Sequence, residues 1–500
     1  MSGKRRALIG CGIVAAALVV ASAVLWSLLE PPERAASVLA EEDASPLAFV
    51  GVTVVNPELD RSPERTLVVE GDRIAAVGSA GADVPDGARV LEEYRGHVVL
   101  PGLIDMHAHL PPATPLNLTA YVTLLNLAHG ITTIRDPGDF SGTAVDAARA
   151  GIESGEMRGP RIFSCGPFVT SGEKRWLNSK VVSGPDEARR AVEEIAEAGH
   201  DCVKSYEEMT VPEIRALVAA AEARGMPVLS HVPYGLGYEE ALLPGVEHLL
   251  GIPPPESLAR NHMVDRLAEW SAVDEARLDR IVEVTLEHGI ANTPTLVLHH
   301  RLLGLGRYPE MNDDPHVRLM PRVFRDVVWH PHDGLPIYRD LPPALFESLR
   351  ASLPKKHELV RRLWEAGATL YLGTDCLQPF VTPAAALHEE MGLFAAAGIP
   401  VEAIWAMGTW RAGDGLGVPQ LGRIEPGAPA DLLVFRDDPA HDLDRLDSLV
   451  AVVARGRLYE RRELDATLDA WREHMKQPAF DRLSVGIARP ITGEVMLRDY

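Results

Sequence analysis

Cysteine and basic residues are scarce in this chain of 500 residues, which has four cysteines in all. Three of them follow residue 29, namely Cys165, Cys202 and Cys376. They fall on or beside predicted strands and cannot all pair, so we expect small apolar filler and no disulfide framework. Lys and Arg number 49 against 71 Asp and Glu. The net charge of −22 argues against nucleic acid as a partner, because nucleic acid binds clustered basic residues.

From residue 47 onward no apolar run is long enough to cross a bilayer, but one such run lies before residue 47. The 23 residues Ala7–Leu29 carry no charged side chain and follow Lys4–Arg6. This pattern predicts a transmembrane anchor over 1–29, a linker over 30–46, and a single-pass cell-membrane protein whose folded body lies outside the cytoplasm. The alternative is a cleaved signal segment, since Ala21–Ala23 resembles a cleavage site. The protein would then be secreted or periplasmic.

Short alternating strands flank the centre of the chain on both sides. Residues 47–97 and 421–460 alternate apolar and polar positions between turn signals, as in RTLVVEGDRIAAVG. We expect these two flanks to form one small β-sandwich domain. A C-terminal extension follows over 461–500, with a helix over 461–477.

Strands alternate with amphipathic helices between residues 98 and 420. We predict eight strands in this stretch, near 98–106, 131–136, 161–165, 201–205, 227–231, 246–249, 291–297 and 369–374. Helical patterns such as PDEARRAVEEIAEAG (185–199) lie between most of them. The alternation predicts an α/β domain with a (β/α)8 TIM barrel, whose functional face is at the carboxyl ends of the strands.

Six side chains that can bind metal stand at the ends of five of these strands. VVLPGLIDMHAHL (98–110) carries two of them with a spacing that places both on one face of a strand. Four more follow in DCVKSY, PVLSHV, GVEHLL and TLYLGTD. The full set is His107, His109, Lys204, His231, His248 and Asp375. Each histidine alone could be a buried core residue, but the shared position at strand ends predicts a metal site.

These motifs resemble those of the amidohydrolase superfamily of metal-dependent hydrolases, and in particular its imidazolonepropionase-like and Xaa-Pro dipeptidase-like members. The resemblance covers residues 48–460 and rests on PGLIDMHAH, GVEHLL, NTPTL (292–296), GTD (373–375) and GRIEPGAPADLLVF (422–435). It implies the barrel and the flanking β-sandwich.

The resemblance also implies two divalent metal ions, with zinc best suited to the ligands. His107, His109 and Asp375 would hold the more buried ion, and His231 and His248 the more exposed one. Lys204 would be N-carboxylated by CO2, so that a carbamate and a hydroxide bridge the two ions. An ordinary lysine that reaches solvent or pairs with Glu207 or Glu208 is the alternative.

The implied enzyme is a binuclear hydrolase of a small molecule. The bridging hydroxide would attack an amide, cyclic amide or dipeptide-like carbon–nitrogen bond other than an ordinary protein peptide bond, and Asp375 would be the catalytic proton acceptor. Hydrolysis of a lactone or ester at the same site, or an exported binding protein without catalysis, are the alternatives. A homo-oligomer is left open.

Candidate substrate contacts lie beside the strand ends. Dipeptidase-like relatives carry a TGGH-like turn where this chain has TSGEKRW (170–176), without histidine. Lys174 or Arg175 could meet a substrate carboxylate and Trp176 could supply a stacking wall, although a solvated charged turn fits equally well. Tyr206 and Tyr234 are further pocket candidates.

A long interruption over 299–343 carries many prolines and histidines, including His299, His300, His316, His330 and His332. A segment of this length without regular structure is typical of a lid or binding loop. We expect a substrate-facing lid, with a second metal site as the alternative.

Overall fold

The computed structural model describes residues 45–79, 84–258 and 263–494, together with Pro32. The predicted anchor over 1–29 lies outside these residues, as does nearly all of the predicted linker. None of the helices in the described part of the chain combines the length and hydropathy needed to cross a bilayer.

Both flanks of the chain meet in one eight-stranded sheet, where two packed sheets of a β-sandwich were predicted. Its strands are Leu47–Asn56, Asp60–Glu70, Arg73–Ser79, Arg89–Leu91, Val98–Pro101, Leu432–Phe435, Leu449–Ala454 and Arg457–Glu460. The strand Val98–Pro101 joins the flanks, because it pairs with Leu47–Asn56 on one side and antiparallel to Leu432–Phe435 on the other. This sheet has its own apolar core around Phe49, Leu67 and Val434.

Parallel strands form the centre of the molecule, in an α/β arrangement consistent with a TIM-barrel-like domain. One sheet contains Leu103–Asp105, Ile131–Asp136 and Arg161–Ser164. The other contains Ser179–Val182, Phe168–Ser171, Val203–Ser205, Val228–Ser230, Gly245–Glu247 and Ala291–Thr293 in spatial order. Backbone hydrogen bonds connect these two sheets with each other and with the segment 371–372. The Asp201 N–H donates to the carbonyl of Ser164, the Tyr371 N–H to that of Asn292, and the Met106 N–H to that of Leu372.

Three predicted strands differ from the observed ones. The strand predicted over 98–106 is divided at Gly102, where a side chain would collide with Thr132, so its two halves join different sheets. The strand predicted over 291–297 ends at Thr293, and a helix begins at Leu296. The strand predicted over 369–374 is reduced to a single parallel bridge between Leu370 and Asn292.

Helices surround the parallel strands, and their ends follow local sequence signals. Thr210 and Glu213 form a capping box at the start of one helix, and the Asp274 side chain accepts the Arg277 N–H at the start of another. The helices are Leu118–Ala128, Ala144–Glu153, Pro185–Glu197, Val211–Glu222, Tyr238–Ala241, Met263–Ala268, Glu275–His288, Leu296–Leu302, Pro343–Glu365, Ala385–Ala396, Val401–Met407, Trp410–Gly415, Arg461–Met475 and Pro478–Glu494. The helix predicted over 461–477 is therefore confirmed, and a second C-terminal helix follows it.

A disulfide bond joins Cys165 and Cys202, so the expectation of no disulfide was wrong. Cys165 directly follows one parallel strand and Cys202 directly precedes another, and the two Cα atoms lie 4.3 Å apart. The pairing depends on how these two strands lie against each other, which the sequence does not reveal. Cys376 is a buried free thiol, in agreement with its predicted role as apolar filler.

Candidate metal centre

The six predicted ligands line one pocket at the carboxyl ends of the parallel strands. Each side chain is at least nine-tenths buried. Their positions follow from the strands: His231 and His248 come directly after Val228–Ser230 and Gly245–Glu247, and Lys204 lies within Val203–Ser205. The six groups therefore meet, although up to 268 positions separate them in the chain.

Asp375 lies at the centre of the pocket. Its Oδ1 is 3.6 Å from Nε2 of His107 and 3.3 Å from Nε2 of His109, and its Oδ2 is 3.7 Å from Nε2 of His248. The ligand atoms of His107, His109 and Asp375 all lie within 4.8 Å of one another. The donor atoms of His107, His109 and Asp375 form a set that fits a divalent metal ion such as zinc, and the His248 imidazole faces the other oxygen of Asp375.

At two of these residues the backbone adopts a left-handed conformation, which residues other than glycine rarely take. His248 has φ +60° and Asp375 has φ +54°. The Asp375 N–H donates to the His107 carbonyl at 2.7 Å, which fixes the turn. Such conformations cost free energy and concentrate at functional sites, so this geometry favours a functional role for both side chains.

The Nδ1 side of each of three histidines has a partner outside the pocket. Nδ1 of His107 lies 2.5 Å from Glu247, and Nδ1 of His248 lies 2.8 Å from the Thr295 hydroxyl. Glu247 in turn accepts a bond from Arg135 at 3.2 Å. Because Nδ1 is held in this way, each ring presents Nε2 to the pocket, as metal-binding histidines do.

Glu207 holds the third histidine. One carboxylate oxygen lies 3.0 Å from Nδ1 of His231, while the other accepts bonds from Arg175 and from the Tyr234 hydroxyl. Burial alone would raise the pKa of Glu207, but the Arg175 guanidinium and His231 hold it below its ordinary value. The carboxylate therefore stays ionised and fixes the ring of His231.

Lys204 is buried among these groups, and its Nζ makes no hydrogen bond to any residue that the structure describes. Burial lowers the pKa of its amine to about 8, although the carboxylates of Glu247 and Asp375 oppose this effect. A buried ammonium without a hydrogen bond is unfavourable. This position is therefore unfavourable for an unmodified lysine, and the carbamate that the resemblance implies would bind metal through its oxygen atoms.

The predicted substrate contacts divide into three groups. Trp176 and Tyr206 line the pocket, and the Trp176 indole N–H donates to the Tyr206 hydroxyl at 2.9 Å. Lys174 is exposed and does not line the pocket. Arg175 and Tyr234 lie behind His231 with Glu207. For Arg175 and Tyr234 the structure therefore indicates a role in positioning His231.

Further residues of the site were not predicted as part of it. Glu247 and Arg135 hold His107, Thr295 holds His248, and Glu207 holds His231. Glu247 directly precedes His248 and Glu207 comes three residues after Lys204. Acidic residues next to predicted ligands were the only available signal for them. Arg135 is the last residue but one of the strand Ile131–Asp136, and no such signal marks it.

The loop over 299–343 reaches the pocket. It folds into short turns of helix at Leu303–Arg307, Glu310–Asp313, Val317–Leu319, Phe324–Val328 and Pro336–Tyr338. Ile337 and Tyr338 from the last of these turns line the same pocket as the predicted metal ligands. This placement agrees with the predicted substrate-facing lid.

Comparisons with known proteins agree with this geometry. Residues 98–459 match the sequence model of the amidohydrolase family. Adenine deaminase 3 of Rhizobium johnstonii is 28% identical over 212 residues, which are 40% of this chain and 34% of that relative. The chain thus spans about a third of the length of this relative.

Solved structures show the same fold. A putative prolidase from Bifidobacterium longum is 25% identical, with a TM-score of 0.62 over 86% of this chain and 99% of that one. A Xaa-Pro dipeptidase with bound methionine is 21% identical, with a TM-score of 0.60 over 83% of this chain and all of that one. These similarities confirm the resemblance drawn from the sequence motifs.

Proposed function

The chain belongs to the amidohydrolase family, and from this premise we propose that it hydrolyses a carbon–nitrogen bond with two divalent metal ions, most naturally zinc. Membership of the family supports a metal-dependent hydrolase acting on such bonds. The observation that carries the finer proposal is the convergence of Nε2 of His107, His109 and His248 on Asp375, beside the unpaired Nζ of Lys204.

Each side chain has a distinct role in the proposed site. His107, His109 and Asp375 would hold one ion, His231 and His248 the other, and carboxylated Lys204 would join them. Ions held there would supply the Lewis acidity that polarises the substrate carbonyl and favours deprotonation of water. The partners Glu207, Glu247 and Thr295 keep the imidazoles in the required orientation.

Asp375 moves the proton in this proposal. It lies among the imidazoles and also faces the pocket, so its carboxylate can accept a proton from the attacking water and pass it to the leaving nitrogen. Burial would raise the pKa of Asp375, but the neighbouring imidazoles of His248, His109 and His107 hold it below its ordinary value. Water adds across the carbon–nitrogen bond, and the products are a carboxylate and an amine.

Metal analysis and a substrate panel test the proposal. We expect about two equivalents of metal per full-length chain grown with zinc. The panel should contain amides, cyclic amides, dipeptides, lactones and esters, and we expect turnover of members with a carbon–nitrogen bond. One equivalent of metal together with an unmodified Lys204 would exclude the binuclear site. Turnover confined to lactones and esters would favour the alternative reaction.

We also propose that the catalytic body lies outside the cytoplasm, tethered by the apolar segment over 1–29. The disulfide between Cys165 and Cys202 supports this location, because such bonds persist in oxidising compartments. Membrane fractionation with N-terminal sequencing tests it. We expect full-length protein in the membrane fraction, whereas a soluble mature protein that starts near Val24 would indicate a cleaved signal.

A further inference from the structure

A second cavity adjoins the metal centre, and its walls are almost entirely apolar. We call it the apolar chamber. It contains about 780 Å³ of empty space, part of which is open to solvent. Three segments build it: the turn after His109 with Pro111 and Leu116, the loop segment with Phe324 and Leu335, and the C-terminal helix Pro478–Glu494. None of its lining residues carries a charge.

The apolar chamber and the metal-centre pocket adjoin each other at three residues that line both cavities. These residues are Phe140, Trp176 and Gln378. Nε2 of Gln378 donates to Oδ1 of Asp375 at 3.4 Å, and the Phe140 ring centroid lies 4.3 Å from that of His109. A group placed in the chamber therefore lies directly beside the reacting centre.

Other contacts hold the residues that line both cavities in place. The rings of Phe140 and Trp176 have centroids 4.6 Å apart, and the Trp176 indole N–H is fixed by its bond to Tyr206. On the far side, the Trp329 indole N–H donates to the carbonyl of Leu377, which also lines the chamber. The chamber thus has defined walls, as a site for one ligand requires.

We infer that the apolar chamber holds a large uncharged apolar substituent of the substrate while the carbon–nitrogen bond lies at Asp375. The inference deepens the proposed function and rests on it. An apolar group gains free energy when it leaves water, in proportion to the area that it buries, whereas a charged substituent would lose its hydration in a chamber without a partner. The substrate class is therefore an amide with an acyl chain of medium length or an aromatic group, on either side of the bond.

Two matched substrate series test the inference with the full-length, metal-loaded protein. One series lengthens the acyl group from acetyl through butanoyl to octanoyl on a fixed amine. The other lengthens the amine on a fixed acetyl group. We expect kcat/KM to rise by about tenfold or more along one series, because each buried methylene favours binding. The series that responds identifies which side of the bond enters the chamber.

Two substitutions on the C-terminal helix distinguish binding inside the apolar chamber from nonspecific apolar contact at the surface. Ala488→Trp places bulk inside the chamber, whereas Arg489→Trp adds the same side chain at an exposed position next to it. We expect Ala488→Trp to reduce the ratio of octanoyl to acetyl kcat/KM by about tenfold, and Arg489→Trp to leave that ratio unchanged. Val328→Thr, which keeps the shape of the side chain, should lower the ratio by a smaller factor and is the control for misfolding of the tryptophan variant.

A binding measurement distinguishes failure of this inference from failure of the proposed function. The neutral fluorescent probe N-phenyl-1-naphthylamine should bind the unsubstituted chain and Arg489→Trp equally and Ala488→Trp about tenfold more weakly. Such binding without turnover of any amide would overturn the proposed function and keep the chamber. Turnover that does not depend on chain length, with equal probe binding in all variants, would overturn the chamber and keep the hydrolase.

Discussion

Glu207 lies 3.0 Å from Nδ1 of His231 and also forms an ion pair with buried Arg175. The carboxylate comes from the strand segment that carries Lys204, and the imidazole follows the next strand. One acidic side chain thus links two neighbouring strands at the metal centre and orients a proposed ligand from behind. Contacts of this kind decide how precisely a ligand is held.

Glu207→Gln should weaken metal binding at His231. The amide can still meet Nδ1 of His231, but it leaves the Arg175 guanidinium without its counter-charge. We expect metal affinity and activity to fall by about 10- to 100-fold. Metal content and kcat/KM measure the effect. Glu222→Gln, at an exposed position on the helix Val211–Glu222, is the matched control. An unchanged metal content in Glu207→Gln would show that Glu207 does not support a ligand.

Lys204→Ala should remove the carbamate that is proposed to join two metal ions. We expect the metal content to fall to one equivalent or less and the activity to be lost. Short carboxylic acids such as acetate or propionate should restore part of the activity, because their carboxylate can occupy the space left by the carbamate. The comparison variant is Lys174→Ala, whose side chain is exposed. It should behave like the unsubstituted chain. Full activity in Lys204→Ala would contradict the carbamate.

Asp375→Asn should separate metal binding from proton transfer. The amide oxygen keeps a ligand atom in place, so at least one metal ion should remain bound. Turnover should fall by about a hundredfold or more, since the variant has no carboxylate to carry the proton. Asp333→Asn, exposed in the loop over 299–343, serves as the control. Near-normal kcat in Asp375→Asn would mean that Asp375 acts only as a ligand.

Much of the site was predictable because it depends on a property of single strands. The ends of parallel strands lie on one side of a sheet, so His107, His231 and His248 could be assigned to one site from their positions alone. Their partners could not, because an acidic residue such as Glu247 points toward a particular ring only once the register between strands is known. The contacts of Arg135 and Thr295 could not be predicted for the same reason.

The fold differs from the prediction where contacts between distant residues, and not the local sequence pattern, determine the structure. Residues 98–106 are apolar apart from Gly102 and Asp105, so nothing in their periodicity marks the division at Gly102, where close packing against Thr132 leaves no room for a side chain. The chamber was missed for a similar reason. Its walls combine the turn at Pro111, the loop at Phe324 and the helix at Ile487, and these segments are too far apart in sequence to suggest a common cavity.

Loss of the disulfide should lower stability without removing the active site. Cys165 and Cys202 are separated by 37 residues, and closing a loop of this size stabilises a fold by about 4 kcal/mol in the chain-entropy treatment. The double substitution C165S/C202S should therefore unfold at a lower urea concentration than the unsubstituted chain. Dithiothreitol should shift the unsubstituted chain toward the midpoint of the variant and leave the variant unchanged. Equal midpoints for all samples would show that the bond does not form in the isolated protein.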